Sequence, residues 1–213
     1  MGRPREHDEH TGTVLLDVAE RLMAAGGEPA VTVRAVAEAA GTTTRAVYSV
    51  FGGKEGLVGA LAGRGYRLLT DLVGGLSPTD DPVADLVEAG VSGFRTFALT
   101  RPALFRLTFE RVSAQTAALP SISADATASY EALLKWIQRA RDAGLVAAGL
   151  SDAEAAFAFH SLCVGLATSE LSRRPPPEGA GFWRPVRQFD GEHLWRTALT
   201  ALVAGFGRPG PAR

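Results

Sequence analysis

Apolar residues recur along most of this 213-residue chain with the spacing of an α-helix. Leu15 and Val18, for example, fall on one stripe of a helix predicted over residues 11–26. The same spacing predicts further helices over residues 33–40, 45–51, 54–74, 82–99, 104–112, 124–143, 152–172 and 191–206. Alternating apolar and polar runs bounded by turn residues are missing, so no β-strand is predicted. The pattern therefore predicts an all-α protein.

Breaks in this pattern divide the chain into a small N-terminal part and a larger C-terminal part. Pro82, preceded by two aspartates, interrupts the helical spacing, and Arg101-Pro102 interrupts it again. The proline-rich run over residues 174–177 cannot continue a helix. We predict a three-helix domain over residues 1–56 and a larger helical bundle over residues 57–213.

Composition limits the class of protein further. The formal net charge is −1 and 46% of the residues are apolar, which excludes a disordered chain and a uniformly basic nucleic-acid coat. The single cysteine, Cys163, excludes a disulfide framework and fits a reducing cytosol. The first ten residues lack the apolar core of a secretory signal, and no apolar stretch is long enough to span a membrane. We expect a cytoplasmic protein with no membrane partner.

The two short helices on either side of Gly41 have the form of a helix-turn-helix. Ala37 is small enough for close contact between the helices, and glycine suits the tight turn. Threonines and Arg45 at the start of the second helix can hydrogen-bond to base edges, while Tyr48 and Lys54 can reach phosphates. The predicted DNA-contact residues are Arg34, Thr42, Thr43, Thr44, Arg45, Tyr48, Ser49 and Lys54.

The stretch over residues 32–61 resembles the DNA-binding domain of the TetR/AcrR family of bacterial transcription regulators. The family pattern is T-V-R-x-[IV]-A-x-x-A-G, then L-Y-x-[YH]-F, then x-x-K-E-x-L. The residues that match it in order and spacing are Thr32, Arg34, Ala37, Gly41, Tyr48, Phe51, Lys54, Glu55 and Leu57. Val50 departs from the pattern, because the family has an aromatic residue or histidine there. Together with the small Ser49, this predicts fewer DNA contacts at these positions.

The resemblance implies a homodimer that binds double-stranded DNA at a near-palindromic operator. It also implies a C-terminal domain that takes a small apolar or amphipathic effector. On this basis we expect a ligand-responsive regulator, most simply a repressor that leaves its operator when the effector binds. Such a protein would lie on the nucleoid while it is bound to DNA.

The charge of the N-terminal region favours an alternative. Residues 1–63 contain six basic and eight acidic side chains, which is not the basic surface typical of a DNA-binding domain. A dimeric interaction or ligand-binding protein, whose helix-turn-helix no longer binds specific DNA, would have such a balance. If DNA is bound, the contacts depend on local placement of a few cations, and we expect binding to fall only gently with salt.

Two later stretches are similar to a subclass of TetR-family C-terminal domains with a tryptophan-histidine-glycine motif on a dimerising helix. They are residues 101–112 and 157–171, with His160 at the histidine position and Ser161 where glycine is usual. The resemblance implies that the last long helices of two subunits pack as a four-helix bundle. Independently, the helix over residues 152–172 is apolar nearly all round and must be covered on both sides.

Aromatic residues of the C-terminal region are candidates for an effector pocket. The predicted lining residues are Phe94, Phe97, Phe105, Phe109, Trp136 and His160. For each of them an ordinary core position is the competing interpretation. Cys163 is interpreted as a buried apolar residue rather than a redox sensor, and Trp195 as packing for the last helix.

Catalysis is not expected. The chain has four histidines and one cysteine, and it lacks the G-x-S-x-G and H-E-x-x-H motifs. Gly53-Lys54 is not a phosphate-binding loop, because the upstream glycine is absent and Glu55 stands where serine or threonine is required. No metal site and no cofactor are predicted beyond the small-molecule effector.

Overall fold

The computed structural model describes residues 4–111, 120–172 and 190–207, and within these ranges its regular elements are helices, with no strand. The α-helices are α1 (Pro4–Gly26), α2 (Val33–Ala39), α3 (Thr44–Phe51), α4 (Lys54–Gly74), α5 (Pro82–Glu88), α6 (Thr96–Thr100), α7 (Pro102–Arg106), α8 (Pro120–Asp142), α9 (Asp152–Leu171) and α10 (Gly191–Phe206). A 3-10 turn covers Glu28–Ala30, and π-helical segments cover Ala89–Arg95 and Leu107–Arg111. The predicted all-α class is confirmed.

Most predicted helix ends follow from local chemistry. The Thr32 and Thr43 side chains cap α2 and α3 by accepting hydrogen bonds from the amides of Ala35 and Ala46. Asp81 caps α5 in the same way, with proline at the first helical position. Ser151 and Glu154 form a capping box at the start of α9.

Four predicted helices differ from those in the structure. The helix predicted over residues 104–112 is divided into α7 and a π-helical segment, and the one predicted over 124–143 begins at Pro120. The first helix begins at Pro4 rather than near residue 11, because nothing between these positions breaks a helix and proline fits its first residue. The helix predicted over residues 82–99 is divided into α5, a π-helical segment and α6. The proline-rich run at residues 174–177, predicted to stop a helix, lies outside the described residues.

The chain forms two compact units, which do not follow one another simply along the sequence. The first unit consists of Met1–Leu68 and Arg101–Ala128, and the second of Leu69–Thr100 and Ser129–Arg213. In the first unit α1 packs against α2, α3 and α7. Its fully buried large side chains are Leu15, Val31, Leu57, Leu61, Leu104, Phe105 and Ile122.

In the second unit, α10 packs against α5, against α9 and against the π-helical segment Ala89–Arg95. Two glycines let this segment approach its neighbours closely. A Cβ at Gly90 would lie 2.3 Å from Cδ1 of Leu199, and one at Gly93 would lie 2.7 Å from Cγ2 of Val73. The segment is therefore held from two sides by contacts that require glycine.

A buried carboxylate fixes the loop before α5 in the second unit. Asp85 is 5% exposed and accepts hydrogen bonds from the amide and hydroxyl of Thr79 and from Arg139 on α8. Burial alone would raise the pKa of Asp85, but these hydrogen bonds and the arginine charge lower it below its ordinary value. Among the described residues, no helix is both long and apolar enough to cross a lipid bilayer.

Candidate nucleic-acid interface

The helix-turn-helix predicted from the sequence is present, formed by α2, the turn at Gly41 and α3. Gly41 has a φ of 66°, in the left-handed region that favours glycine. The amide of Thr42 donates to the carbonyl of Ala37 over 2.9 Å, which closes the turn. Ala37 and Val47 are buried, and their small side chains let α2 and α3 pack closely on either side of the turn.

The start of α3 presents hydroxyl groups and a cation to solvent. Thr42, Thr44 and Arg45 are exposed. Thr43 is also exposed, but its Oγ1 already accepts a hydrogen bond of 3.3 Å from the amide of Ala46. Its hydroxyl therefore caps the helix, and the threonines on either side of it are the better hydrogen-bonding groups for a base edge.

Three further predicted contact residues lie around this surface. Tyr48 is 57% exposed, and its ring lies beside Gly53, where a Cβ would be 3.4 Å from Cε1. Lys54 is exposed at the first residue of α4, and Arg34 is exposed in the first turn of α2. Helix N-termini attract anions through their free amides, so a phosphate would meet both the Lys54 charge and the start of α4.

The departure from the family pattern has a structural explanation. Val50 is half-buried, and a Cβ at Gly12 of α1 would lie 3.4 Å from its Cγ1. The side chain therefore packs toward α1, while its neighbour Ser49 is exposed. In this chain position 50 contributes to the domain core, and position 49 remains available for contact with DNA.

The acidic balance of the N-terminal region is partly neutralised by arginines from elsewhere in the chain. Arg64 lies 2.6 Å from Asp17 and 3.2 Å from Glu20, and Arg101 lies 2.7 Å from Glu20. Both arginines fall outside residues 1–63, the range over which the sequence charge was counted. The predicted excess of negative charge is therefore smaller around the folded helix-turn-helix.

The six aromatic residues predicted to line an effector pocket are divided between the two compact units. In the second unit, the ring centroid of Phe94 lies 5.7 Å from that of His160 and 6.5 Å from that of Trp195. In the first unit, Phe105 and Phe109 are paired at 5.6 Å. The remaining two candidates, Phe97 and Trp136, are buried in the second unit.

The surroundings of the polar residues of α9 could be predicted only in part from the sequence. Burial lowers the pKa of His160, which favours a neutral ring, and raises the pKa of the Cys163 thiol, which disfavours the reactive thiolate. Glu170, which sequence reasoning missed, accepts hydrogen bonds from Arg95 (3.1 and 2.9 Å) and from the indole of Trp195 (2.9 Å). Its partners are distant in sequence, so no local pattern could have pointed to it.

One face of α9 is left exposed by the residues that the structure describes. Phe157 is 70% exposed, and a Cβ at Gly165 would meet no atom within 4 Å. The opposite face is buried, through Ala155, Ala156, Phe159, Cys163 and Ala167. Among the described residues, the helix predicted to need cover on both sides is covered on one side.

Two family models match the sequence. The model of the tetR family of bacterial regulatory proteins matches residues 15–61, and the model of a tetracyclin repressor-like C-terminal domain matches residues 87–184. Together the matched ranges cover more than half of the chain. A comparison of the sequence with curated proteins found no match.

Solved structures share the fold over nearly the whole chain. A protein with unknown function from Rhodococcus sp. RHA1 is 21% identical, with a TM-score of 0.75, over 93% of this chain and 96% of that one. A tetR-family regulatory protein from Rhodococcus RHA1 is 18% identical, with a TM-score of 0.66, over 94% and 98%. NalD of Pseudomonas aeruginosa, the secondary repressor of the MexAB-OprM multidrug efflux pump, is 21% identical, with a TM-score of 0.61, over 94% and 97%. Because models of both its domains match, the chain belongs to the TetR family of bacterial regulatory proteins and is a DNA-binding transcriptional regulator, not an enzyme.

Proposed function

We propose that the chain is a homodimeric repressor that leaves a near-palindromic operator when a small molecule binds. The observation that carries the proposal is the solvent-exposed start of α3, where Thr42, Thr44 and Arg45 stand beside Tyr48 and Lys54. Threonine and arginine contact base edges in the major groove, and tyrosine and lysine contact phosphates. In this proposal Arg34, Thr43 and Ser49 complete the contact surface.

The dimer forms through α9 and α10. The exposed face of α9 carries Phe157, Ser161 and Gly165, and the exposed positions near the end of α10 are Thr200, Ala201, Ala204 and Gly205. These residues are small or apolar and carry no charge, which suits close packing of helices from two subunits. A two-fold dimer would place two recognition helices about 34–36 Å apart, one turn of DNA.

The effector is a small apolar or amphipathic molecule that binds the C-terminal domain, residues 57–213, while residues 1–56 bind DNA. Support comes from the aromatic rings of that region, among them Phe94, Phe97 and Trp136. Two proteins with the same fold also point toward apolar ligands, since they are a repressor of a multidrug efflux pump and the fatty acid degradation regulator FadR of Bacillus halodurans. The effector must bind more tightly to the form that does not bind DNA.

The experiment is a fluorescence anisotropy titration on duplexes enriched by the purified chain from a random library. The DNA upstream of its own coding sequence is included, and the salt concentration is varied. We expect saturable binding of two subunits per duplex, tighter than to random DNA, with a modest dependence on salt. A library from which nothing is enriched would contradict the repressor and favour the dimeric interaction protein whose helix-turn-helix binds no specific DNA.

A further inference from the structure

A nearly buried carboxylate lies where α1 meets two other segments of the first unit. Glu20 on α1 is 9% exposed. Its Oε1 accepts a hydrogen bond of 2.7 Å from Nη1 of Arg101, and its Oε2 lies 3.2 Å from Nε of Arg64. We call these three residues the Glu20 cluster. Each carboxylate oxygen thus has a cationic partner from a different part of the chain.

The cluster joins the helix-turn-helix to two other segments of the first unit. α1 packs directly against α2 and α3. Arg64 lies on α4, the helix that follows α3, and Arg101 is the residue between α6 and α7. Pro102 restricts the backbone of Arg101, the residue before it, to extended or turn conformations.

Because the Glu20 side chain is nearly buried, loss of this contact should cost more free energy than loss of an ordinary surface ion pair. The Glu20 side chain is 12% exposed, so loss of one arginine would leave its charge poorly compensated. Exposed pairs contribute little, because water screens them. Two other contacts join the same segments, since Tyr66 donates to the carbonyl of Thr108 and Thr108 to that of Ala62. In the first unit, α1 takes part in the Glu20 cluster and in the ion pair of Asp17 with the same Arg64, at 2.6 Å.

We propose that Glu20 is a positioning residue for operator recognition, because it holds α1 and the attached helix-turn-helix in a fixed direction relative to the start of α7. The proposal rests on the proposed function, since the direction matters when two copies must fit two half-sites at once. The cluster therefore sets which half-site spacing the dimer accepts.

The test compares two variants with a matched control. Glu20→Gln removes the charge with little change of size, and Arg101→Gln removes one partner whose own side chain is 51% exposed. Asp125→Asn is the control, because it breaks another ion pair of α4, with Arg67, that does not include α1. Affinity is measured on the enriched duplex and on duplexes with one central base pair added or removed. Circular dichroism and the melting temperature confirm that each variant is folded.

We expect both variants to bind the enriched duplex about tenfold more weakly, while binding to the altered duplexes changes less than about twofold. Discrimination between spacings therefore falls about tenfold, and Asp125→Asn retains it. Equal losses on all three duplexes, or unchanged discrimination, would overturn the proposal, because a merely stabilising ion pair has those results. If Glu20→Gln does not fold, Arg101→Gln decides.

Hydrogen exchange separates failure of this proposal from failure of the proposed function. If the wild-type chain enriches no duplex, the repressor is contradicted, and exchange of the α1 amides still tests the cluster. Faster exchange over residues 15–26 in Arg101→Gln than in Asp125→Asn supports the contact between α1 and Arg101. Equal exchange in these two variants overturns it.

Discussion

The recognition helix α3 and the helix α9 expose side chains of opposite character, polar in α3 and apolar in α9. In α3 a single residue, Val47, is fully buried, and the exposed side carries hydroxyl groups, an arginine and a tyrosine. In α9 five residues are buried, and the exposed side still carries Phe157 and Gly165. One helix is left with unused hydrogen-bonding groups and the other with unused apolar surface.

This difference teaches what each surface can bind. Hydroxyl and guanidinium groups are well solvated, so exposure costs α3 little, and they gain from a partner with dense acceptors such as DNA. Exposure of a phenylalanine side chain to water is unfavourable, and a glycine lets another helix approach closely. This surface therefore favours packing against another apolar helix. We expect substitutions in the two surfaces to change different properties, namely DNA binding for α3 and self-association for α9.

The largest effect on stability is expected at Trp195 of α10, the helix that packs against α9. Trp195 is 1% exposed and its indole donates to Glu170. Truncation in Trp195→Ala leaves a cavity and removes one of the hydrogen bonds to Glu170, and should lower the free energy of unfolding by about 3–5 kcal/mol. Urea titration followed by circular dichroism measures it. His193→Ala, an exposed change on the same helix, should stay within about 0.5 kcal/mol of the wild type.

The polar surface of α3 should respond in binding rather than in stability. Arg45→Ala combined with Tyr48→Ala removes two exposed groups and should weaken specific DNA binding about 100-fold. Anisotropy on the enriched duplex measures the loss, and the melting temperature should not change. Arg106→Ala removes an exposed arginine from α7 and serves as the control. Equal loss in the control would show that net charge, rather than the start of α3, determines affinity.

The exposed side of α9 should respond in self-association. Phe157→Glu places a charge on the apolar face and should weaken the dimer about 30-fold, since a buried aromatic residue often dominates an interface. Sedimentation velocity over a concentration series measures this. Leu99→Glu changes another exposed apolar residue, on α6, and should leave association unaffected. A Phe157→Glu protein that remains as dimeric as the wild type would contradict the α9 interface.

The smallest effect distinguishes neighbouring threonines on the helix-turn-helix. Thr43→Ala removes the cap of α3 and should destabilise the chain by about 1 kcal/mol. Thr42→Ala removes an exposed hydroxyl with no capping role and should change stability by less than about 0.5 kcal/mol. Thermal unfolding of the two variants side by side measures the difference. Equal destabilisation would contradict a stabilising role that is specific to the cap at Thr43.

Features that depend on nearby residues could be predicted from the sequence. The bounds of α4 and α10 agree with the predicted ones, because caps, glycines and prolines act within a few residues. The exposure of the helix-turn-helix contact residues followed from the same local pattern. Their contact with DNA stays a prediction.

Features that depend on distant residues could not be predicted in this way. The charge of residues 1–63 omitted Arg64 and Arg101, although the latter meets Glu20 across 81 positions of sequence. Likewise, Phe94 and Phe105 look equivalent as aromatic residues of the C-terminal region, yet they lie in different compact units. Periodicity assigns a side chain to a helix face, but the neighbour that meets that face depends on how the helices pack.

The close packing of the π-helical segment predicts correlated substitutions among relatives of this chain. A side chain at position 90 would overlap Leu199, and one at position 93 would overlap Val73. Relatives that carry alanine at position 90 should therefore have a smaller residue at position 199, and the same pairing should hold between positions 93 and 73. A Cβ at Gly165 would meet no described atom within 4 Å, so in the proposed dimer this position should instead vary with the residues of the partner helix.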